Sequence, residues 1–553
     1  MRNSLLAIVL AAFAVSSAAA APRAAVFDWF EYRGHDPLPQ PRPGEYANPL
    51  LMGYYPDPSI VRVGPDYYLI NSTFSWFPGI PVFHSRDLVN WRQIGNAIHR
   101  PGQLDFKKLG MSRGVFAPTI SYHRGTFRIV NTCVDCGGNF VISAKNPAGP
   151  WSDPVWLPQV GGIDPSLFFD DDGRAWILNN DNPEGKEQWE GHRAIWIQQF
   201  DPTTNTSFGP RKMVINGGVD PPKKPVWIEG PHLFKHNGFY YLMAAEGGTE
   251  ERHSEVIFRS HDVLGPYVPW EQNPILTQRD LPAKRPNPIT STGHADLVQL
   301  PNGDWWSVFL GTRPYEGDFY NTGRETFMLP VTWQNGWPRI SRPGQPIPYT
   351  HRMPPLPASG KPFNTRHMVL REEFAGKALG PEWMMMRNPR ERWHSLSGGA
   401  LHLTPRPVGL GDFGNPSFIA RRQQHMYASV STAVRFNPRG EADRAGLAAL
   451  QNDEYWFALS VARNRVVLER RAGPKDPAKG AVIASAPLRA APNAPVYLRI
   501  QARGGLYDFA YALKPGQWRT LRQGEDGGIL STKTAGGFVG TLIGPYAYRA
   551  DAQ

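Results

Sequence analysis

Five times within the first 310 residues, a short apolar run, a polar turn carrying glycine and an aromatic-rich run follow one another. The segments are DPSIVRVGPDYYLINS from Asp57, APTISYHRGTFRIVNT from Ala117, DPSLFFDDDGRAWILN from Asp164, EGPHLFKHNGFYYLMA from Glu229 and ADLVQLPNGDWWSVFL from Ala295. Two strand-like runs joined by a turn signal predict a β-hairpin in each. The starts lie about 47 to 66 residues apart, which leaves room for two further strands per unit. Five four-stranded units predict a five-bladed β-propeller over residues 21–337; an irregular β-sandwich is the alternative.

Beyond Trp337 the pattern changes. Residues 338–363 are rich in proline and lack periodicity, which predicts a linker or an ordered strap. From 364 to 553, stretches such as VYLRIQAR and EYWFALSVARNRVVLERR alternate apolar and polar positions, as half-buried antiparallel strands do. A second domain, a β-sandwich, is expected there, and no long helical pattern disturbs the all-β assignment.

Composition agrees with an ordered, turn-rich protein: of 553 residues, 55 are Gly, 55 Pro and 18 Trp. Aromatic rings stack on sugar faces, although sheet packing accounts equally well for most of these tryptophans. The net charge of +11 is scattered, with no dense Lys/Arg run or nucleic-acid motif, so a nucleic-acid partner is not expected. Residues 1–20 combine one early positive charge, an apolar run and a small-residue tail, the pattern of a secretory signal peptide cleaved near Ala20. Export to the periplasm or outside the cell is therefore expected, and no membrane association. The only cysteines, Cys133 and Cys136, form a C-x-x-C with no second pair to complete a zinc site, which favours a local disulfide or two inert thiols.

Chemistry enters through register. Asp57, Asp164 and Glu229 begin their hairpins at equivalent positions, so in a propeller they meet at one rim of the central cavity; a slip of one residue would turn them into the sheet. FDDDGRAW, at 169–176, lacks the alternating ligands and distal Glu of a calcium loop and reads as a hairpin turn.

YPDPS, GGIDPSLFFDDDG and WIEGPHLFK resemble the three catalytic motifs of glycoside hydrolase family 43, in the right order and with the right acid in each. STFSWFPGIPVFHSRDLVNW, STGHADLVQLPNGDWW and NTGRETFMLPV are similar to further segments of its β-xylosidase and α-L-arabinofuranosidase members. The resemblance implies a five-bladed propeller followed by a concanavalin-A-like β-sandwich, and an inverting mechanism. Asp57 would be the general base, Glu229 the general acid, and Asp164 the group that raises the pKa of Glu229 and orients it. Inversion needs the base and acid on opposite faces of the sugar, about 6.5–9.5 Å apart, with room for water between.

The same resemblance implies substrate-binding roles for others. Phe74 and Trp76 would wall the sugar site, His294 would lie beneath it, and Arg324 would hydrogen-bond the terminal sugar. Phe538 would reach over from the sandwich to close the pocket. A structural ion pair is the alternative for Arg324, a satisfied buried histidine for His294, and core packing for Phe74 and Trp76. Phe116 stands where Trp is frequent in the family. The expected substrate is a xylo-oligosaccharide or arabinoxylan fragment, cleaved by an exo-β-1,4-xylosidase with α-L-arabinofuranosidase activity beside it. No cofactor is required, with room left for a structural or axial metal ion. An arabinofuranosidase or arabinanase, a fructan hydrolase, and a non-catalytic carbohydrate-binding propeller are the alternatives; oligomeric state is open.

Overall fold

The computed structural model describes residues 24–361, 366–491 and 493–550. The expected leader at 1–20 lies outside the described residues. Five antiparallel sheets follow one another along the chain, each with four principal strands joined in order. Their first strands are Ser59–Val63, Thr119–His123, Ile163–Phe169, Glu229–His236 and Thr290–Gln299. Each pairs with the next strand across the tight turn that the glycine pattern marks. These are the five blades of a propeller.

The ring closes between the fifth blade and the first. Asp296 accepts hydrogen bonds from Ser59 Oγ at 2.8 Å and the Ile60 amide at 2.9 Å. Glu45–Ala47, ahead of the first blade, pairs with Thr350–Arg352, beyond the fifth. As far as residue 361 the proline-rich segment is thus an ordered strap. Pro348, Tyr349 and Ser359 bind back onto the propeller, the Ser359 amide donating to Asp87 at 2.6 Å.

Two eight-stranded sheets form the sandwich. Val496–Arg503 keeps the predicted alternation: Val496, Leu498, Ile500 and Ala502 are buried, while the residues between them are not. Arg444–Asn452 departs from it and is buried almost throughout. One face of its sheet meets the facing sheet, and the other meets the propeller through a cluster that joins Tyr54, Trp76 and Met111 to Met386, Ala448 and Leu450. Among the described residues no helix is long and apolar enough to cross a membrane.

One boundary needs correction. Residues 25–35, assigned from sequence to the propeller, form the strand Ala25–His35 inside a sandwich sheet. It pairs with His367–Glu372 and Ala400–Leu403 on one side and with Tyr427–Arg435 on the other. Its buried apolar side chains, Ala25, Phe27, Phe30 and Tyr32, fill the sandwich core, with a bulge between Phe27 and Trp29 keeping both halves turned inward. Hairpin repetition could not reveal this, because the strand's partners lie more than 330 residues away.

Candidate active site

A cavity of about 450 Å³ opens at one end of the propeller, and Asp57, Asp164 and Glu229 all line it. Their aim depends on a backbone device. Asp57 and Asp164 have φ of 51° and 54°, in the left-handed region that side-chain-bearing residues seldom occupy, and Glu229 is followed by Gly230 at φ 58°. The left-handed residue interrupts the alternation just where each first strand begins, and ladder irregularities follow in the third and fourth blades. At Gly230 glycine is obligatory for a second reason: a methyl group there would stand 2.7 Å from the His294 ring.

The three carboxyls have different surroundings. Asp57 is buried and accepts a hydrogen bond from Ser72 Oγ at 2.5 Å. The Arg324 guanidinium grips it with both terminal nitrogens, at 3.0 Å and 3.3 Å. Glu229 is only partly covered. Burial against the cavity wall, reinforced by the charge of Asp57, pushes its carboxyl up to about 7, while Arg324 and Arg193 pull the other way. Asp164 is pushed well above the usual carboxylate range, first by burial and then by the charges of Glu229 and Asp57. Burial also holds His294 neutral, its pKa lowered to about 4.

Aromatic rings wall the cavity. Phe74 stacks on Phe538, which comes from the sandwich, with centroids 5.5 Å apart, and Phe116 meets both rings edge-on. Phe538 is fastened to the propeller where its amide donates to Ser112 Oγ at 2.8 Å. The structure thus brings Phe74, His294, Arg324 and Phe538 to the cavity beside the three acids. Trp76 is the exception. It is fully buried, and Trp76–Phe77 pairs with Met385 and Met386 as the outermost strand of a sandwich sheet. The positive φ of Phe74, 49°, separates the two: without it, residues 74 and 76 would share a face.

Several lining residues carried no clear signal in the sequence: Arg113, Asn180, Asp181, Arg193 and Trp227. Asn180 and Asp181 end the second strand of the third blade, so knowledge of the blade's register could have located them. Phe116 stood out only as a departure. The cysteines form the disulfide Cys133–Cys136, in the hairpin beside the cavity residue Val134. Among the described residues there is no group of three or more His, Cys, Asp or Glu that could hold a metal ion.

A carboxyl that keeps its proton to near neutrality can protonate a leaving oxygen, and a carboxylate across the cavity can take a proton from water. Set between aromatic walls, that pairing suits the glycosidic bond, and fold and site together define a glycoside hydrolase. The family model "Glycosyl hydrolases family 43" matches residues 46–338, and the model "Beta xylosidase C-terminal Concanavalin A-like domain" matches 371–553. The chain belongs to glycoside hydrolase family 43. It is 37% identical to a xylosidase/arabinosidase of Butyrivibrio fibrisolvens, over 90% of this chain and 95% of that one. It is equally similar, at 37%, to a non-reducing end α-L-arabinofuranosidase of Bacteroides ovatus, covering 91% of each. The crystal structure of a GH43_12 protein retrieved from the capybara gut metagenome superimposes with a TM-score of 0.89, at 40% identity over 95% of this chain and all of that one.

Proposed function

We propose that the enzyme is an exo-acting, inverting hydrolase that releases terminal D-xylose from β-1,4-linked xylo-oligosaccharides and also accepts α-L-arabinofuranosides. The observation that carries this proposal is the unequal standing of the carboxyls in one cavity. Glu229 retains its proton to about pH 7, while Asp57 is clasped by donors from Arg324 and Ser72. In the reaction Glu229 donates its proton to the glycosidic oxygen as the bond to the anomeric carbon breaks. Water attacks that carbon from the opposite face and gives its proton to Asp57, so the released sugar has the inverted configuration. Asp164 orients the acid. Phe74, His294, Arg324 and Phe538 enclose the terminal sugar, and closure by the sandwich residue Phe538 favours removal of single units.

The test is hydrolysis of nitrophenyl β-D-xyloside and α-L-arabinofuranoside, with the first-formed anomer observed by NMR. A retained anomer would overturn the inverting assignment. The rival reading, an enzyme specific for arabinofuranosides, is favoured by the Bacteroides ovatus relative; turnover of the arabinofuranoside alone would establish it. Glycan binding without turnover would point to a non-catalytic propeller. We also propose that the protein is exported: the 1–20 leader supports this, and a Cys133–Cys136 disulfide suits an oxidising compartment. A processed N-terminus near residue 21, read by mass spectrometry of the secreted fraction, tests it.

A further inference from the structure

Trp227 is the only tryptophan among the described residues that lines the catalytic cavity, and it is 44% exposed. Its backbone has φ 48°, a conformation unfavourable for a bulky residue and maintained only where the surroundings enforce it. Here two hydrogen bonds do so: the Trp227 amide donates to Gly191 O at 2.8 Å, and the Gly247 amide to Val226 O at 2.9 Å. The indole lies over bare backbone. A methyl group on Gly248 would come within 3.3 Å of the ring, and one on Gly191 within 3.2 Å of its Nε1. The underside of the ring is therefore supported, while much of the rest faces open space. Neither burial nor a side-chain hydrogen bond accounts for where the indole lies: among the described residues nothing accepts from its N–H.

Position supplies the use. Trp227 precedes Glu229 by two residues and borders the same cavity, with Arg193 beside them. The Arg193 side chain is anchored to Glu187 at 2.6 Å and remains partly open. In the proposed reaction the acid stands next to the glycosidic oxygen, so the departing sugar leaves on the acid's side. We propose that Trp227 is the platform for the leaving-group sugar, stacking on the pyranose ring of the second xylose while Arg193 reaches its hydroxyls. Trp227 is thus a specificity determinant for oligosaccharides over substrates whose leaving group has no ring. This assignment rests on the pentosidase reading given above.

The experiment compares xylobiose with β-D-xylosyl fluoride, whose leaving group is a single atom and occupies no sugar platform. In Trp227→Ala, kcat/KM for xylobiose is expected to fall about 10- to 30-fold, while that for the fluoride changes less than about twofold. Trp227→Phe, which keeps a stacking face, should recover xylobiose hydrolysis to within about threefold of wild type. Unchanged turnover of the fluoride also shows that the variant folds. Equal losses on both substrates would overturn the platform, since the fluoride occupies none. So would an equal loss on methyl β-D-xyloside, which has no leaving-group ring but needs the proton of Glu229, because it would mean that Trp227 merely supports the acid. Undiminished xylobiose hydrolysis in the alanine variant would overturn it too, as would a wild type that cleaves the fluoride but not xylobiose. A wild type inactive on every pentoside would defeat the pentosidase reading itself, a separate result.

Discussion

At Asp57 the chain adopts a left-handed conformation that an aspartate tolerates better than most residues, and the carboxyl turns from the sheet into the cavity. The repeat made this position legible: three acids in one register are visible without coordinates. The reversal of direction was not, since φ leaves little trace in a single sequence outside glycine. For the same reason Phe74 and Trp76 look alike in STFSWFPG yet part company in space. Two kinds of prediction belong at this scale, catalytic and energetic. If Glu229 must be protonated, the pH profile of kcat/KM should descend on its alkaline side near pH 7. In Glu229→Ala, substrates with poor leaving groups should lose about 10³-fold or more and activated aryl glycosides far less, whereas Asp57→Ala should impair both alike. The second kind concerns stability. Between about pH 4.5 and pH 7 the unfolded chain sheds this proton while the folded one keeps it, so the group's contribution to stability falls as pH rises. Glu229→Gln should therefore raise Tm at pH 7.5 and have little effect at pH 5, as read by calorimetry.

The strand Trp76–Phe77 belongs to the propeller in sequence and to the sandwich in hydrogen bonding. Beside it, Arg387 of the sandwich donates through Nε to Leu109 O of the propeller at 2.7 Å and holds Asp453 with two bonds of 2.8 Å. Arg387 and Asp453 are both almost fully buried. Removing one partner strands the other charge, so Arg387→Ala should cost about 3–5 kcal/mol in denaturant unfolding, and replacing both residues by apolar ones should restore much of it. The alternation of individual strands was legible, as Val496–Arg503 shows. That Arg444–Asn452 would be covered on both faces was not, because the second covering surface is another domain.

Over the whole molecule, the five blades and the sandwich followed from period and pattern, whereas the placement of Ala25–His35 required contacts that no local window contains. Just beyond that strand, Asp36 meets Arg313 at 2.6 Å; Arg313 also pairs with Glu325 of the fifth blade, and all three are buried. Asp36 in turn accepts from the Met426 amide of the sandwich at 2.8 Å. Both domains converge on this cluster. They should therefore unfold in a single calorimetric transition, and a chain starting at residue 38 should be insoluble or lack that transition.

The Ala25–His35 strand has a consequence for how the protein comes into being. Its neighbours at 367–372 and 427–435 are made only after the propeller, so the sandwich is the host and the propeller is a guest inserted after its first strand. At about 5–20 residues per second, synthesis leaves that first strand waiting for tens of seconds with its apolar side unmatched, while the catalytic domain is completed behind it. A circularly permuted gene that moves residues 24–37 behind residue 550 would deliver strand and partners together. Faster folding of that permutant at unchanged activity would show that the natural order of the chain is a kinetic burden rather than a structural need.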